Sequence, residues 1–123
     1  MADKLEELRD RLREFARERD WDQFHTPKNL VMALIAETAE LVEHFQWLTP
    51  EQSCALSQEK RADVRQELAD VFIYLVRAAD KLDVDLIAAA FEKIALNEQR
   101  YPAATVRGDA RRASEYYRDF HNN

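Results

Sequence analysis

Apolar residues recur at three- and four-residue steps along most of the chain, which is the spacing of one face of an α-helix. The steps predict helices over residues 3–19, 27–48 and 58–82, and a fourth that begins after Asp83 or Asp85 and ends near Arg100. Thr49, Pro50 and Gln52 have the pattern of a helix start, so a short helix is predicted over residues 50–55. No segment alternates as a strand does, and the pattern therefore predicts an all-α fold.

Two of these helices each carry a row of apolar residues along one face, which we call its stripe, and we predict that the two stripes form the core. The stripe of the second helix consists of Leu30, Leu34, Leu41, Phe45 and Leu48. The stripe of the third consists of Val64, Leu68, Val71, Leu75 and Leu82. Both helices should bury these faces.

Each of the same two helices carries a pair of acids one turn apart, beside its stripe: Glu37 with Glu40, and Glu67 with Asp70. Acids at this spacing are common on helix surfaces, where they pair with Lys or Arg. No Lys or Arg lies between Val31 and Leu48, however. Four carboxylates gathered without cations would repel one another, and a divalent ion would remove that penalty. We therefore favour a metal site over a purely structural interpretation.

A di-iron carboxylate site is the rival interpretation of these acids. Such sites use His three residues after Glu. Here Glu40 is followed at that spacing by Glu43, and the pair Glu67 and Asp70 has no histidine. An all-oxygen set favours Mg²⁺, or Mn²⁺, over iron and zinc.

Further along the chain, Lys93, Asn97 and Arg100 recur on one helical stripe, which suits contacts to phosphate groups as well as an ordinary solvated face. Trp21 and Trp47 offer flat surfaces for a base, or alternatively pack in the core or at a subunit interface. For the connector that holds Trp21, Phe24 and His25 we favour packing over exposure for binding.

Composition narrows the function classes. The single glycine excludes a glycine-rich phosphate loop, and the formal charge of −6 argues against non-specific binding to nucleic acid. The longest apolar run, residues 30–36, is too short to cross a membrane, and residues 1–15 lack the apolar core of a signal peptide. The lone Cys54 fits a reducing compartment, so we expect a cytoplasmic protein. At 123 residues we expect one domain that gains stability by oligomerising.

Several motifs together resemble the MazG-type all-α nucleoside triphosphate pyrophosphohydrolases, and among them the dCTP pyrophosphatase branch. The resemblance covers about residues 5–107. Its motifs are Phe24-His25-x-Pro27-x-Asn29-Leu30, Glu37-x-x-Glu40, Phe45-Gln46-Trp47, Glu67-Leu68-x-Asp70-Val71-x-Ile73-Tyr74 and Asn97-x-x-Arg100-Tyr101-Pro102.

The resemblance implies a four-helix bundle that assembles as a dimer or a dimer of dimers. It places the catalytic domain at residues 1–102 and leaves 103–123 as a polar tail, loosely ordered or packed on a partner subunit. It also implies Mg²⁺-dependent hydrolysis of a nucleoside triphosphate, dCTP or a modified pyrimidine deoxynucleotide, to the monophosphate and pyrophosphate. Such an enzyme controls the nucleotide pool.

The resemblance also assigns residues. The catalytic and metal-binding residues are Glu37, Glu40, Glu67 and Asp70. The substrate-binding residues are Trp21, His25, Trp47, Tyr74, Lys93, Asn97 and Arg100. The alternatives are another substrate, such as dUTP, a damaged purine nucleotide or phosphoribosyl-ATP, and a non-enzymatic helical oligomer.

Overall fold

The computed structural model describes residues 3–111 and residue 115, and within them every regular element is helical. The all-α prediction is thus confirmed. The helices are α1 (Lys4–Glu18), α2 (Pro27–Glu43), α3 (Pro50–Ser53), α4 (Gln58–Lys81), α5 (Leu86–Arg100) and α6 (Ala103–Val106), with a 3₁₀ turn at Asp22–Phe24. The chain divides into two compact units, Met1–Val84 and Asp85–Asn123.

Five helices begin where a short polar side chain accepts a hydrogen bond from a backbone N–H of the first turn. The capping residues are Asp3, Thr26, Thr49, Ser57 and Asp85. Such a cap satisfies a donor that has no partner within the helix. Of the two candidates for the cap of α5, the structure uses Asp85, whereas Asp83 lies in the turn before it with φ 54°.

The predicted end of α2 is wrong by five residues. The helix ends at Glu43, and tight turns follow, in which Phe45 donates to the carbonyl of Val42 and Leu48 to that of Phe45. Turns of this 3₁₀ type also repeat every three residues, so the spacing of Phe45 and Leu48 did not distinguish them from an α-helix. A helix that continued to Leu48 would have put Trp47 on the stripe of Glu37 and Glu40. Trp47 instead lies in the turns after α2.

The core of the first unit lies where α2 and α1 pack against α4. The predicted stripe of α2 is confirmed, since Leu30 is 1% exposed and its other members are half-buried. The predicted face of α4 is correct at Val64, which is buried, and at Val71, which is half-buried. Its other members, Leu68, Leu75 and Leu82, are exposed. Burial concentrates instead near the end of α4, at Val76, Arg77, Ala78 and Ala79. Small side chains there let neighbouring helices approach closely.

The second unit holds α5 and α6. Ile87, Phe91 and Ile94 recur on α5 at helical spacing and are exposed. The segment predicted as a polar tail contains the short helix α6, and residues 112–114 and 116–123 of that tail lie outside the described part. The domain boundary at residue 102 stays a prediction. None of the helices that the structure describes is both long and apolar enough to cross a membrane.

Candidate metal and nucleotide site

Helices α2 and α4 bring three carboxylates together, and we call Glu37, Glu67 and Asp70 the acidic cluster. One oxygen from each residue lies within 4.8 Å of the other two. All three side chains are half-buried. The three-residue step from Glu67 to Asp70 puts both on the same face of α4, and the packing of α2 against α4 supplies Glu37 opposite them.

Glu40, the fourth predicted ligand, is exposed and does not belong to this group of three oxygens. It is nevertheless close enough to affect the cluster, because it raises the pKa of both Glu37 and Glu67 through its charge and through side-chain hydrogen bonds. Glu40 thus lies at the solvent edge of the acidic cluster.

The acidic cluster is electrostatically unfavourable without a cation. Burial, a hydrogen bond with Glu40 and the neighbouring negative charges raise the pKa of Glu37 to about 7. Burial is also the main reason that the pKa of Glu67 is raised, followed by the charge of Glu40. Within residues 3–111 and 115, none of the three acids forms an ion pair.

One oxygen of the acidic cluster has no partner of its own. Oε2 of Glu67 is buried and accepts no hydrogen bond from any described residue. A buried polar atom normally has a partner, because its desolvation is otherwise uncompensated. Oxygen ligands at this density suit a hard divalent cation such as Mg²⁺. The residues present therefore fit a divalent metal ion.

The aromatic candidates for a nucleoside pocket all belong to the first unit. Tyr74 is half-buried and follows Asp70 by one turn of α4, which places it next to the acidic cluster. Trp47 is 87% exposed in the turn after α2. Trp21 packs edge-on against Phe15 with ring centroids 5.8 Å apart and is otherwise accessible.

We predicted that the aromatic residues of the connector pack against the protein. This prediction is wrong for Phe24, which is 58% exposed, and holds for Trp21 only at its contact with Phe15. The 3₁₀ turn at Asp22–Phe24 contains no buried residue. Only His25 of the connector is half-buried.

The candidates for phosphate contacts lie in the second unit, on α5. Lys93 and Arg100 are exposed, and Asn97 is half-buried. The guanidinium of Arg100 lies 5.8 Å from the centre of the Tyr101 ring. The observed helix keeps the predicted spacing of the three residues along one stripe.

Sequence reasoning missed a set of paired charges that we call the Arg77 network. It links α4 to α1 and to the connector. Arg77 is 3% exposed and donates to Asp22, Asp80 and His25. Asp80 also accepts from Arg13 at 2.7 Å, and Asp22 from Lys81 at 2.7 Å. An arginine inside the apolar run Val71–Ala79 was the available signal, because a buried charge needs partners.

An all-helical unit with an acidic cluster between two packed helices is the arrangement of a helical protein that can bind a divalent metal ion. A model of one helical family, the MazG-like family, matches residues 33–119, more than half of the chain. The chain belongs to the MazG-like family.

Its similarity to individual proteins is also extensive. It is 45% identical to human dCTP pyrophosphatase 1 over 90% of this chain, and 46% identical to the rat protein of the same name over 86% of this chain. The matches cover 66% and 64% of those relatives, so the chain spans slightly less than two thirds of their length.

A crystal structure of a pyrophosphatase from Archaeoglobus fulgidus matches with a TM-score of 0.78 and 39% identity. That match covers 83% of this chain and 95% of the archaeal one. The fold is therefore that of a MazG-like pyrophosphatase.

Proposed function

We propose that the protein is a Mg²⁺-dependent nucleoside triphosphate pyrophosphohydrolase. Its substrate would be dCTP or a modified pyrimidine deoxynucleotide, and its products the monophosphate and pyrophosphate. The observation that carries the proposal is the acidic cluster, with its raised pKa values and the unpartnered oxygen of Glu67. The names of the human and rat relatives support dCTP as the substrate.

Glu37, Glu67 and Asp70 would hold the metal, with Glu40 as the fourth ligand at the solvent edge. When bound, Mg²⁺ or Mn²⁺ neutralises charge on the phosphate oxygens and polarises phosphorus. Lys93, Asn97 and Arg100 would bind the phosphates, because forked and point-charge donors suit phosphate oxygens. Trp21, His25, Trp47 and Tyr74 would line the nucleoside pocket.

The protein supplies the proton acceptor for the attacking water. Glu37 and Glu40 are the two candidates, because a carboxylate that holds the metal can also contact the attacking water, and Glu40 is accessible to solvent. Water attacks phosphorus, its proton passes to the carboxylate, and pyrophosphate leaves with the electrons of the broken P–O bond. Positioning and electrostatics would supply most of the rate enhancement.

We also propose that the enzyme works as a homodimer or homotetramer in the cytoplasm, where it limits the nucleotide pool. Large apolar side chains stay exposed on both helices that form the site, for example Ile35 and Val42 on α2 and Phe72 on α4. A second copy is the simplest cover for such faces. With an acidic surface, the protein would bind neither nucleic acid nor membrane.

A panel of nucleoside triphosphates with Mg²⁺ tests the proposal. We expect pyrophosphate release to be fastest from dCTP or a modified pyrimidine deoxynucleotide. Glu37→Gln and Asp70→Asn should each lower the rate of pyrophosphate release by about 100-fold or more, since each removes a negative charge from the metal site. Glu59→Gln is the matched control, because this exposed glutamate lies in the first turn of α4, about two turns before Glu67, and is not one of the residues of the acidic cluster.

The panel also separates the alternatives. If pyrophosphate were released faster from dUTP, a damaged purine nucleotide or phosphoribosyl-ATP, that compound would be the substrate and the proposed reaction would be unchanged. If folded protein released pyrophosphate from none of them, and Mg²⁺ with dCTP left its melting temperature unchanged, a non-enzymatic helical oligomer would be the better interpretation.

A further inference from the structure

Among the residues that the structure describes, the hydrogen bonds of the His25 imidazole come from a single guanidinium. Nε of Arg77 lies 3.3 Å from Nδ1 of His25, and Nη2 of the same residue lies 3.1 Å from that nitrogen. A guanidinium has five N–H donors and no acceptor. Nδ1 must therefore be the acceptor in both contacts, so it carries no proton.

This contact decides the state of the whole ring. A neutral imidazole with a bare Nδ1 holds its proton on Nε2. Full protonation of His25 would turn Nδ1 into a donor facing two other donors. It would also add a second positive charge beside Arg77. Burial, followed by the charge of Arg77, therefore lowers the pKa of His25.

The guanidinium itself cannot turn away easily. Arg77 is buried, and Nη2 also donates to Asp22 at 3.1 Å in the connector. Its Nη1 lies 3.5 Å from Asp80, the carboxylate that Arg13 holds from α1. Among the described residues, the charges that shift the pKa of His25 are those of Arg77 and Lys81 on α4 and of Asp22 in the connector. Of these three, only Asp22 is negative.

We propose that Arg77 is a positioning residue that fixes His25 as the neutral tautomer with its proton on Nε2, so that His25 meets a bound nucleotide as a hydrogen-bond donor. The partner would be an acceptor group of the nucleotide, a phosphate or carbonyl oxygen. The tautomer follows from the contacts alone, whereas the choice of a nucleotide as the partner rests on the proposed function. His25 is then not the base that activates water, and this task stays with the carboxylates.

Long-range ¹H–¹⁵N spectra of the imidazole rings, recorded without nucleotide, test the tautomer directly. The chain has three histidines, and loss of one signal set in His25→Gln assigns the ring of interest. In the wild type we expect Nδ1 to be unprotonated and Nε2 protonated at neutral pH, with a pKa below the usual 6.5. A proton on Nδ1 at neutral pH would overturn the proposal.

Two variants should move this pKa in opposite directions. Arg77→Met removes the neighbouring cation and both donors, so the pKa of His25 should rise towards 6.5 and the ring should sample both tautomers. Asp22→Asn removes the negative charge that raises the pKa of His25, so the pKa should fall further. Arg13→Met, which breaks the Arg77 network without touching His25, is the matched control and should leave the His25 signals in place. Unchanged His25 signals in folded Arg77→Met contradict the proposal, and if that variant does not fold, Asp22→Asn and the wild-type spectrum still decide.

Steady-state kinetics test the role of the donor. Arg77→Met and His25→Leu should each raise KM for the nucleotide about fivefold while kcat changes less than about twofold, the size expected for one lost hydrogen bond. His25→Gln should recover part of the loss, because its amide N–H can replace Nε2–H. Unaltered KM in both Arg77→Met and His25→Leu would exclude the donor role. If no nucleotide is hydrolysed at all, the proposed function fails, while the spectra still report on the tautomer.

Discussion

Oε2 of Glu67 is buried and has no hydrogen-bond partner among the described residues, while Glu37 and Asp70 contribute oxygens nearby. The folded chain therefore holds negative charge where water cannot fully solvate it. Such an arrangement destabilises the metal-free protein, and it prepares a strong site for a cation. At this scale stability and function oppose each other.

Glu37→Gln should therefore stabilise the metal-free protein at neutral and alkaline pH. The folded pKa of Glu37 is about 7, above the 4.5 of an ordinary glutamate. The unfolded chain thus loses its proton first, so the wild type loses stability as pH rises from 4.5 to about 7, and the loss stays constant above that. Thermal melts in a chelator across this range should show a melting temperature for Glu37→Gln that exceeds the wild type only above about pH 4.5.

The metal should reverse that order. With Mg²⁺ the wild type should gain stability and Glu37→Gln should gain little, since binding to the folded state alone is stabilising. Glu59→Gln should follow the wild type throughout. If the wild type melted at a higher temperature than Glu37→Gln in chelator above pH 7, the predicted repulsion between the carboxylates would be contradicted.

For single residues, the sequence identified the acids but not how deeply each of them is buried. The spacing of Glu37 and Glu40 put both beside the apolar stripe of α2, yet the structure half-buries Glu37 and leaves Glu40 exposed. A one-turn step does not fix depth, because depth depends on where α4 passes. The Arg77 network was missed for a similar reason, since its partners lie up to 67 positions away in sequence.

Among the elements, helix starts were predicted well because their causes are local. The start of α4 was predicted at residue 58 and is confirmed. The structure shows that its cap is Ser57, whose hydroxyl accepts a hydrogen bond from the N–H of Lys60 at 3.1 Å at the start of the helix that carries Glu67 and Asp70. The end of α2 was predicted badly, because nothing in its last turn distinguishes an α-helix from the 3₁₀-type turns that replace it.

Ser57→Ala should lower the free energy of unfolding by about 1 kcal/mol, because α4 loses its N-cap. Ser57→Asp keeps an acceptor at the cap and places a negative charge at the helix N-terminus, so it should stay within about 0.5 kcal/mol of the wild type. Urea unfolding followed by circular dichroism measures both. Equal losses in the two variants would mean that the cap contributes nothing.

In the whole molecule, few apolar residues of the described chain are fully buried, whereas many large ones are exposed. Leu30 is the largest side chain that is wholly enclosed. Ile35, one turn from Val31 on α2, is 69% exposed, and Val31 is exposed too. Such a face is typical of a chain that completes its core in an assembly.

Ile35→Glu should therefore weaken self-association. A charge in a covered apolar face is costly to bury, so we expect a smaller particle in size-exclusion chromatography with light scattering, together with a lower melting temperature. Glu59→Lys changes the charge at an exposed position of α4, on the face opposite the exposed Leu68, and should leave the particle size unaltered. A monomeric wild type, or an unaffected Ile35→Glu particle, would contradict the predicted homo-oligomer.

The sequence by itself determined the helical class, most helix starts and the two acid pairs, because period, caps and short spacings are properties of neighbouring residues. The motifs also determined the family. Only the tertiary structure decided that Glu37 meets Glu67 and Asp70, that Glu40 stays at the solvent edge, and that Arg77 joins His25 to Asp22 and Asp80. These contacts join residues from different elements, so they depend on how α1, the connector and α2 lie against α4, which no local pattern specifies.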